Sequence, residues 1–216
     1  MSTPLDPAGA PQEDATLIRV LERSRELGFL GPGPVEFHVE HALTFVGLVS
    51  ASNRVLDLGS GGGLPGLVLL RACPQLELLV LLDAMERRGE FLRWAADELG
   101  APPTVQVVTA RAEAAARTAD LRGHFDTVVA RSFGRPAVTA ECSVGFLSGP
   151  GARVLVSEPP EPDTGRWPEA GLTRLGLRSE RRHEGAGGTI QELVLEEEPS
   201  DSWPRRDGLP SKRPLF

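Results

Sequence analysis

The chain has 216 residues, 40% hydrophobic and 25% charged, at a mean hydropathy of −0.14; it is long enough to bury its own core, and this composition excludes disordered, fibrous and membrane-embedded classes. Thirty acids against 23 bases give a net charge of −7, the wrong sign for holding nucleic acid by bulk charge, so any such contact must be local. The absence of tyrosine and the single lysine, Lys212, exclude chemistry built on a Tyr-x-x-x-Lys pair.

Residues 1–14, rich in proline, alanine and acids, read as a disordered leader. They lack the basic and apolar regions of a secretion signal, and no apolar run is long enough to span a bilayer, so a cytoplasmic protein is expected. Leu17, Ile18 and Leu21 predict a short amphipathic helix over 15–29. Gly31-Pro32-Gly33-Pro34 breaks it, and Val35, Val39, Ala42, Leu43, Val46 and Val49 recur at helical spacing after the break. Residues 15–51 are thus a short helical N-terminal extension. Cys73 and Cys142 stand in unrelated apolar contexts, and no cysteine has zinc-ligand spacing with His38, His41, His124 or His183. Both read as buried thiols, and no metal is expected.

From residue 54, short runs of branched apolar residues alternate with longer amphipathic stretches, the pattern of a parallel sheet with crossover helices. Strands are predicted at 54–58, 77–83, 104–109, 126–131 and 152–157, with helices at 65–72, 86–99, 112–118 and 136–147. A weak helix over 166–176 and a pair of strands at 175–182 and 189–196 close the pattern. The fold class expected is α/β, the Rossmann-like class I S-adenosylmethionine (SAM)-dependent methyltransferase fold, with a mostly parallel sheet and a terminal antiparallel strand. Its domain spans 52–198 and is followed by a basic, proline-rich tail at 199–216.

The most informative segment is Val55-Leu56-Asp57-Leu58-Gly59-Ser60-Gly61-Gly62-Gly63-Leu64-Pro65-Gly66, an apolar strand, a glycine-dense turn and a helix start. Gly59, Gly61 and Gly63 let the backbone approach a ligand closely, and the helix offers unpaired N–H groups. Gly61-x-Gly63-x-x-Gly66 also satisfies the dinucleotide pattern, so the turn alone leaves two cofactor families open. Asp57, two residues before the first glycine, and the ~50 residues that precede the turn favour SAM, whose methionine end is cationic. Asp83 ends the second apolar run, 20 residues after Gly63, where a carboxylate accepts ribose hydroxyls in either family. The competing readings are a helix N-cap for Asp83 and a solvated strand-end acid for Asp57.

Several segments resemble the RsmG (GidB) family of bacterial 16S ribosomal RNA methyltransferases, which act on N7 of a guanine with SAM. They are Glu40-His41-Ala42-Leu43, the glycine turn, Leu82-Asp83-Ala84-Met85-Glu86-Arg87-Arg88, Arg111-Ala112-Glu113, Ala130-Arg131-Ser132-Phe133, and the tail from Trp203 to Leu215. The resemblance implies that Gly59 and Leu64 contact SAM, that Ala112 and Glu113 flank the adenine, and that Arg131 lies beside the cofactor as the one catalytic side chain. It implies 16S rRNA or the 30S subunit as partner, and a monomer is expected. Arg205, Arg206, Lys212 and Arg213, opposed by Asp207 alone, are the candidate RNA contacts.

The sequence departs from the family at the end of the fifth strand. A lysine in an L-K-G segment is usual there, and this chain reads Val156-Ser157-Glu158-Pro159. That change and the acidic balance keep two alternatives open: a methyltransferase acting on a small molecule or another RNA, and a non-catalytic SAM-binding or ribosome-associated module.

Overall fold

A computed structural model describes residues 11–161, 165–185 and 187–216. Seven strands form one sheet: β1 (Arg54–Leu58), β2 (Leu78–Asp83), β3 (Val105–Thr109), β4 (Thr127–Ala130), β5 (Arg153–Glu158), β6 (Leu177–Gly185) and β7 (Gly188–Leu195). Their order is β3-β2-β1-β4-β5-β7-β6. The first five are parallel, and β7 runs antiparallel to both β5 and β6. β2, Leu-Leu-Val-Leu-Leu-Asp, is buried along its whole length because helices cover both faces, which is why it reads as a continuous apolar run. The strand order reverses between β1 and β4, and in such sheets the crevice at the carboxyl ends of the two strands is where ligands sit.

One face of the sheet is covered by α1 (Ala15–Glu26), α2 (Val35–Leu48), α3 (Gly66–Ala72) and α4 (Glu86–Glu98), whose apolar side chains share one cluster with Val55, Leu79, Leu81 and Val129. The other is covered by α5 (Ala112–Ala115), α6 (Pro136–Val144) and α7 (Glu169–Thr173); the short α8 (Leu209–Lys212) lies in the C-terminal segment. Four helices, α1, α5, α6 and α7, are shorter than their apolar patterns predict. α1 stops where Gly28 turns left-handed at φ +74°, α6 stops at Gly145, and α7 cannot begin before Pro168 at its N-cap.

The expected leader is corrected at its inner end, while residues 1–10 lie outside the described ones. Pro11–Glu13 form a 3₁₀ turn, and Asp14 caps α1 by accepting from the Thr16 and Leu17 N–H groups, each at 3.0 Å. The same carboxylate accepts from Arg71 Nε at 2.6 Å, tying the chain's start to α3.

The C-terminal segment is likewise held against the domain. Trp203, Leu215 and Phe216 pack on the second core, the Trp203 carbonyl accepts from Arg122 Nη1 at 3.0 Å, and the Pro204 carbonyl accepts from Arg117. Among the described residues no helix is long and apolar enough to cross a membrane. Cys73 and Cys142 are free and buried, and burial pushes both thiols up from their ordinary pKa.

Candidate active site

The glycine turn leaves β1 at the switch point. Gly59 N and Ser60 N donate to the Leu82 carbonyl at 2.8 and 2.9 Å, which anchors the turn to the end of β2. Two buried carboxylates then shape it. Gly61 N donates to Asp83 Oδ2 and Gly66 N to Asp57 Oδ2, both at 2.9 Å. Asp83 Oδ1 also accepts from Met85 N at 2.9 Å, but Met85 is itself the N-cap residue of α4 and no side chain caps that helix, so Asp83 is not the N-cap of its competing reading.

Asp57 is 0% exposed, which rules out a solvated strand-end acid. Its Oδ1 is buried with no partner among the described residues. Complete burial pushes its carboxyl up to about 7, opposed by hydrogen bonding from Ser60 and Gly66.

The glycines divide by role. Gly61 has φ +53°, and a Cβ there would face Asp83 Oδ2 and Arg88 Nη1 at 3.9 Å, toward the cavity side of the turn. At Gly59 a Cβ would overlap the Phe133 ring at 2.5 Å, so this glycine admits an aromatic cover. Gly63 instead faces Leu67 of α3 and serves packing of the turn on its helix.

A cavity of ≈ 330 Å³ opens over this turn. Gly59, Ser60, Gly61, Gly62 and Leu64 line it on the turn side, Arg88 lines it from the first turn of α4, Arg131 and Ser132 from the end of β4, and Phe29 to Pro32 with His38 close it from the N-terminal segment. Ser24 Oγ donates to the Gly62 carbonyl at 2.9 Å, clamping the turn to α1. Arg131, one residue past β4, places Nη2 2.7 Å from His38 Nδ1, while His38 Nε2 lies 3.2 Å from the Gly31 carbonyl. With Arg131 donating, Nδ1 accepts and Nε2 donates to the carbonyl. Burial draws the Arg131 guanidinium below its ordinary pKa, and Asp57 opposes that shift. Ser132 follows with φ +56°, a rare conformation for a side-chain-bearing residue and one that clusters at functional sites.

The structure therefore brings together Gly59, Gly61, Leu64 and Arg131 around one cavity, with Asp57 and Asp83 bracing the turn from beneath. It does not bring Ala112 and Glu113 to its wall. Ala112 packs in the core, and the Glu113 carboxylate is turned away, accepting from Arg111 Nη2 and from Gly208 N, both at 2.9 Å. The side chain of Glu113 holds the C-terminal segment, a correction to its expected place beside the adenine.

Arg205 is the second correction. Its Nε and Nη2 donate to the two oxygens of Glu141, which is 0% exposed, at 2.8 and 2.6 Å. It serves as the counter-ion of a buried carboxylate, not as a free phosphate contact. Arg206, Lys212 and Arg213 remain exposed.

Sequence reasoning missed the N-terminal wall and Arg88. Phe29 falls at the end of the first predicted helix, Gly31-Pro32 opens the break after it, and a lone histidine on a helix carries no signal. Arg88 sits five residues after Asp83, one turn into α4, which is the only local hint.

The GidB family profile, described as rRNA small subunit methyltransferase G, matches residues 34–157. A Ribosomal RNA small subunit methyltransferase G of Rubrobacter xylanophilus is 33% identical over 94% of this chain and 82% of its own length. The chain belongs to this family. Another member, from Prochlorococcus marinus, is 32% identical over 76% of this chain and 68% of its own. A solved O-methyltransferase of Bacillus cereus in complex with SAH is similar in fold, with TM-score 0.59 at 16% identity over 85% of this chain and 92% of that one. The architecture is thus the class I SAM-dependent methyltransferase fold.

At the strand end where a family lysine is expected, Ser157 Oγ lies 2.8 Å from His41 Nε2, and Glu158 is buried in a two-pronged pair with Arg166, at 2.6 and 3.2 Å. Burial pulls His41 below the ordinary histidine pKa, reinforced by nearby Arg131. His41 also fills the space beside Gly188, where a Cβ would lie 2.4 Å from its Nδ1. It is a packing residue between α2 and the β6–β7 hairpin.

Proposed function

We propose that this protein transfers a methyl group from SAM to N7 of a guanine in 16S rRNA of the small ribosomal subunit. The observation that carries the reading is the cavity at the β1–β4 switch point, which combines a glycine turn with the Arg131–His38 pair, over the buried Asp57, in a chain of this family.

The residues present fit SAM. Gly61 admits close approach of the nucleoside, Asp83 at the turn supplies acceptor capacity for ribose hydroxyls, and Asp57, buried beneath the turn, favours a cationic methionine end through its field. Bound SAM would supply a sulfonium methyl for transfer to the guanine N7 lone pair. N7 carries that pair without deprotonation, so the chain needs no general base. Its work is alignment and exclusion of water, which contribute up to roughly 7–11 kcal/mol in well-oriented systems. The Phe29 to Pro32 wall shields the cavity, and Arg131, fixed by His38, orients the groups at its end.

A surface beside the cavity supports an RNA acceptor. Phe29 also lines an adjoining groove of ≈ 320 Å³ together with Arg23, Arg87, Phe91 and Trp94. The Phe29–Phe91 and Phe91–Trp94 centroids are each 5.7 Å apart, Arg87 lies 5.6 Å over Phe29, and Trp94 is 39% exposed. Aromatic faces with arginine are the means by which unstacked bases are held. Arg206, Lys212 and Arg213 add exposed cations for phosphates.

The test is complementation of a bacterium that lacks its own methyltransferase of this family. Expression should restore 7-methylguanine to its 16S rRNA nucleosides by mass spectrometry; an unmodified 16S rRNA in cells containing folded, SAM-binding protein would overturn the reading.

A further inference from the structure

A second cavity, of ≈ 260 Å³, adjoins the first, and Ser132 lines both. Its wall includes Phe133, Glu158, Arg166 and Trp167. Glu158 is 6% exposed, and both of its oxygens accept from Arg166, at 2.6 Å from Nε and 3.2 Å from Nη2. A carboxylate has about four acceptor positions; the Arg166 fork fills the two that point the same way, and one outward position on each oxygen is left for a ligand. Trp167 is 9% exposed, and its indole Nε1 is buried without an acceptor among the described residues. A buried donor without a partner is costly and marks a place where a partner is supplied from outside.

We infer that this second cavity is the acceptor-base pocket and that Glu158 reads the Watson–Crick edge of guanine. The inference deepens the proposed function and rests on it. With N7 directed at the cofactor cavity, guanine presents N1–H and the 2-amino group on its opposite edge, and the 2-amino group donates to an outward acceptor position that Arg166 leaves on Glu158. O6, next to N1–H, is the acceptor that the Trp167 indole N–H lacks. Adenine carries an acceptor at N1 and no 2-amino group, and meets Glu158 with a lone pair. Phe133, which covers Gly59 and lines this cavity, offers a ring for stacking. Methylation at N7 also places positive charge on the ring. The N1–H and 2-amino donors strengthen as that charge develops, so Glu158 holds the transition state more firmly than the ground state. The carboxylate at the end of β5, where the family usually has a lysine, is on this reading a base-reading group.

The test uses the full chain and a 16S rRNA fragment containing the methylated guanine, alongside the same fragment with inosine at that position, which lacks only the 2-amino group. Wild-type protein should methylate the guanine fragment at least ~10-fold more efficiently in kcat/KM. Glu158→Gln should lower kcat/KM for guanine by ~10–100-fold and shrink the guanine-to-inosine ratio toward one, with calorimetric SAM affinity unchanged. Equal rates on the two fragments, or a ratio that survives Glu158→Gln, would overturn the assignment alone. If Glu158→Gln fails to fold, the wild-type comparison still decides. Failure of wild-type protein to methylate the guanine fragment would remove the proposed function and this inference with it.

Discussion

Arg131 and His38 are 93 residues apart in sequence and 2.7 Å apart in space, Nη2 to Nδ1, so the end of β4 and the start of α2 are joined across the cofactor cavity. His38 is in turn fixed by the Gly31 carbonyl at 3.2 Å. Arg131→Ala should lower kcat/KM for methyl transfer by about 10²-fold, the scale of a lost alignment. His38→Ala should produce a smaller loss, because Arg131 stays present but is no longer held. Steady-state kinetics with thermal unfolding alongside check both, and full turnover in folded Arg131→Ala protein would remove its role.

Gly61→Val tests the turn. At φ +53° a branched side chain is strained, and its Cβ would face Asp83 and Arg88 on the cavity side. The expected result is loss of the SAM-induced rise in unfolding temperature in a protein that still unfolds cooperatively. An unaltered calorimetric affinity would place the cofactor elsewhere.

Asp57 predicts a pH dependence. Its carboxyl ionises at about 7 in the fold against 3.8 when unperturbed, so the folded state holds a proton that the unfolded chain releases between those values. This group's contribution to stability is full below pH 3.8, declines as pH rises, and is gone above about 7. A cationic ligand in the cavity above this group favours the ionised form, so SAM should bind more tightly at pH 8 than at pH 6, with proton release at the lower pH. Calorimetry in buffers of different ionisation enthalpy measures that release, and Asp57→Asn should abolish it. Proton uptake, or none, in wild-type protein would contradict the role.

The C-terminal bases should separate into two classes. Arg205→Ala strands the buried Glu141 carboxylate and should cost about 3 kcal/mol of stability, lowering the unfolding temperature by roughly 6–12 °C. Lys212→Ala and Arg206→Ala touch exposed side chains and should leave that temperature unchanged while weakening rRNA binding and flattening its salt dependence. Filter binding across a salt series, with thermal unfolding, distinguishes the two.

Trp94→Ala should raise KM for rRNA and leave SAM affinity intact, consistent with about 1–3 kcal/mol per stacked base. An unchanged KM would mean that this surface does not meet the substrate.

What was legible in the sequence is what is local. The apolar run of β2, the glycine turn after β1 and the acids Asp57 and Asp83 at strand ends all declare themselves within a few neighbouring residues, and each stands where its pattern places it. The identity of the partner does not. Glu113 and Arg205 are charged residues in matched motifs, yet their partners, Gly208 and Glu141, lie 95 and 64 residues away, and only packing reveals that both hold the C-terminal segment. His38 and the Phe29 to Pro32 wall have no periodicity or motif of their own. They become functional because α1 and α2 share a core with β1 and β2, which brings the loop between them over the turn.

Transfer of labelled methyl from SAM to 30S subunits and to free 16S rRNA, both lacking the family's mark, tests the central claim most directly. Purified wild-type protein should deposit 7-methylguanine at one position, while Gly61→Val deposits none and Arg131→Ala deposits it slowly. Label in any other nucleoside, or no label from a protein shown to bind SAM, would contradict guanine-N7 methylation of the small subunit as this chain's activity.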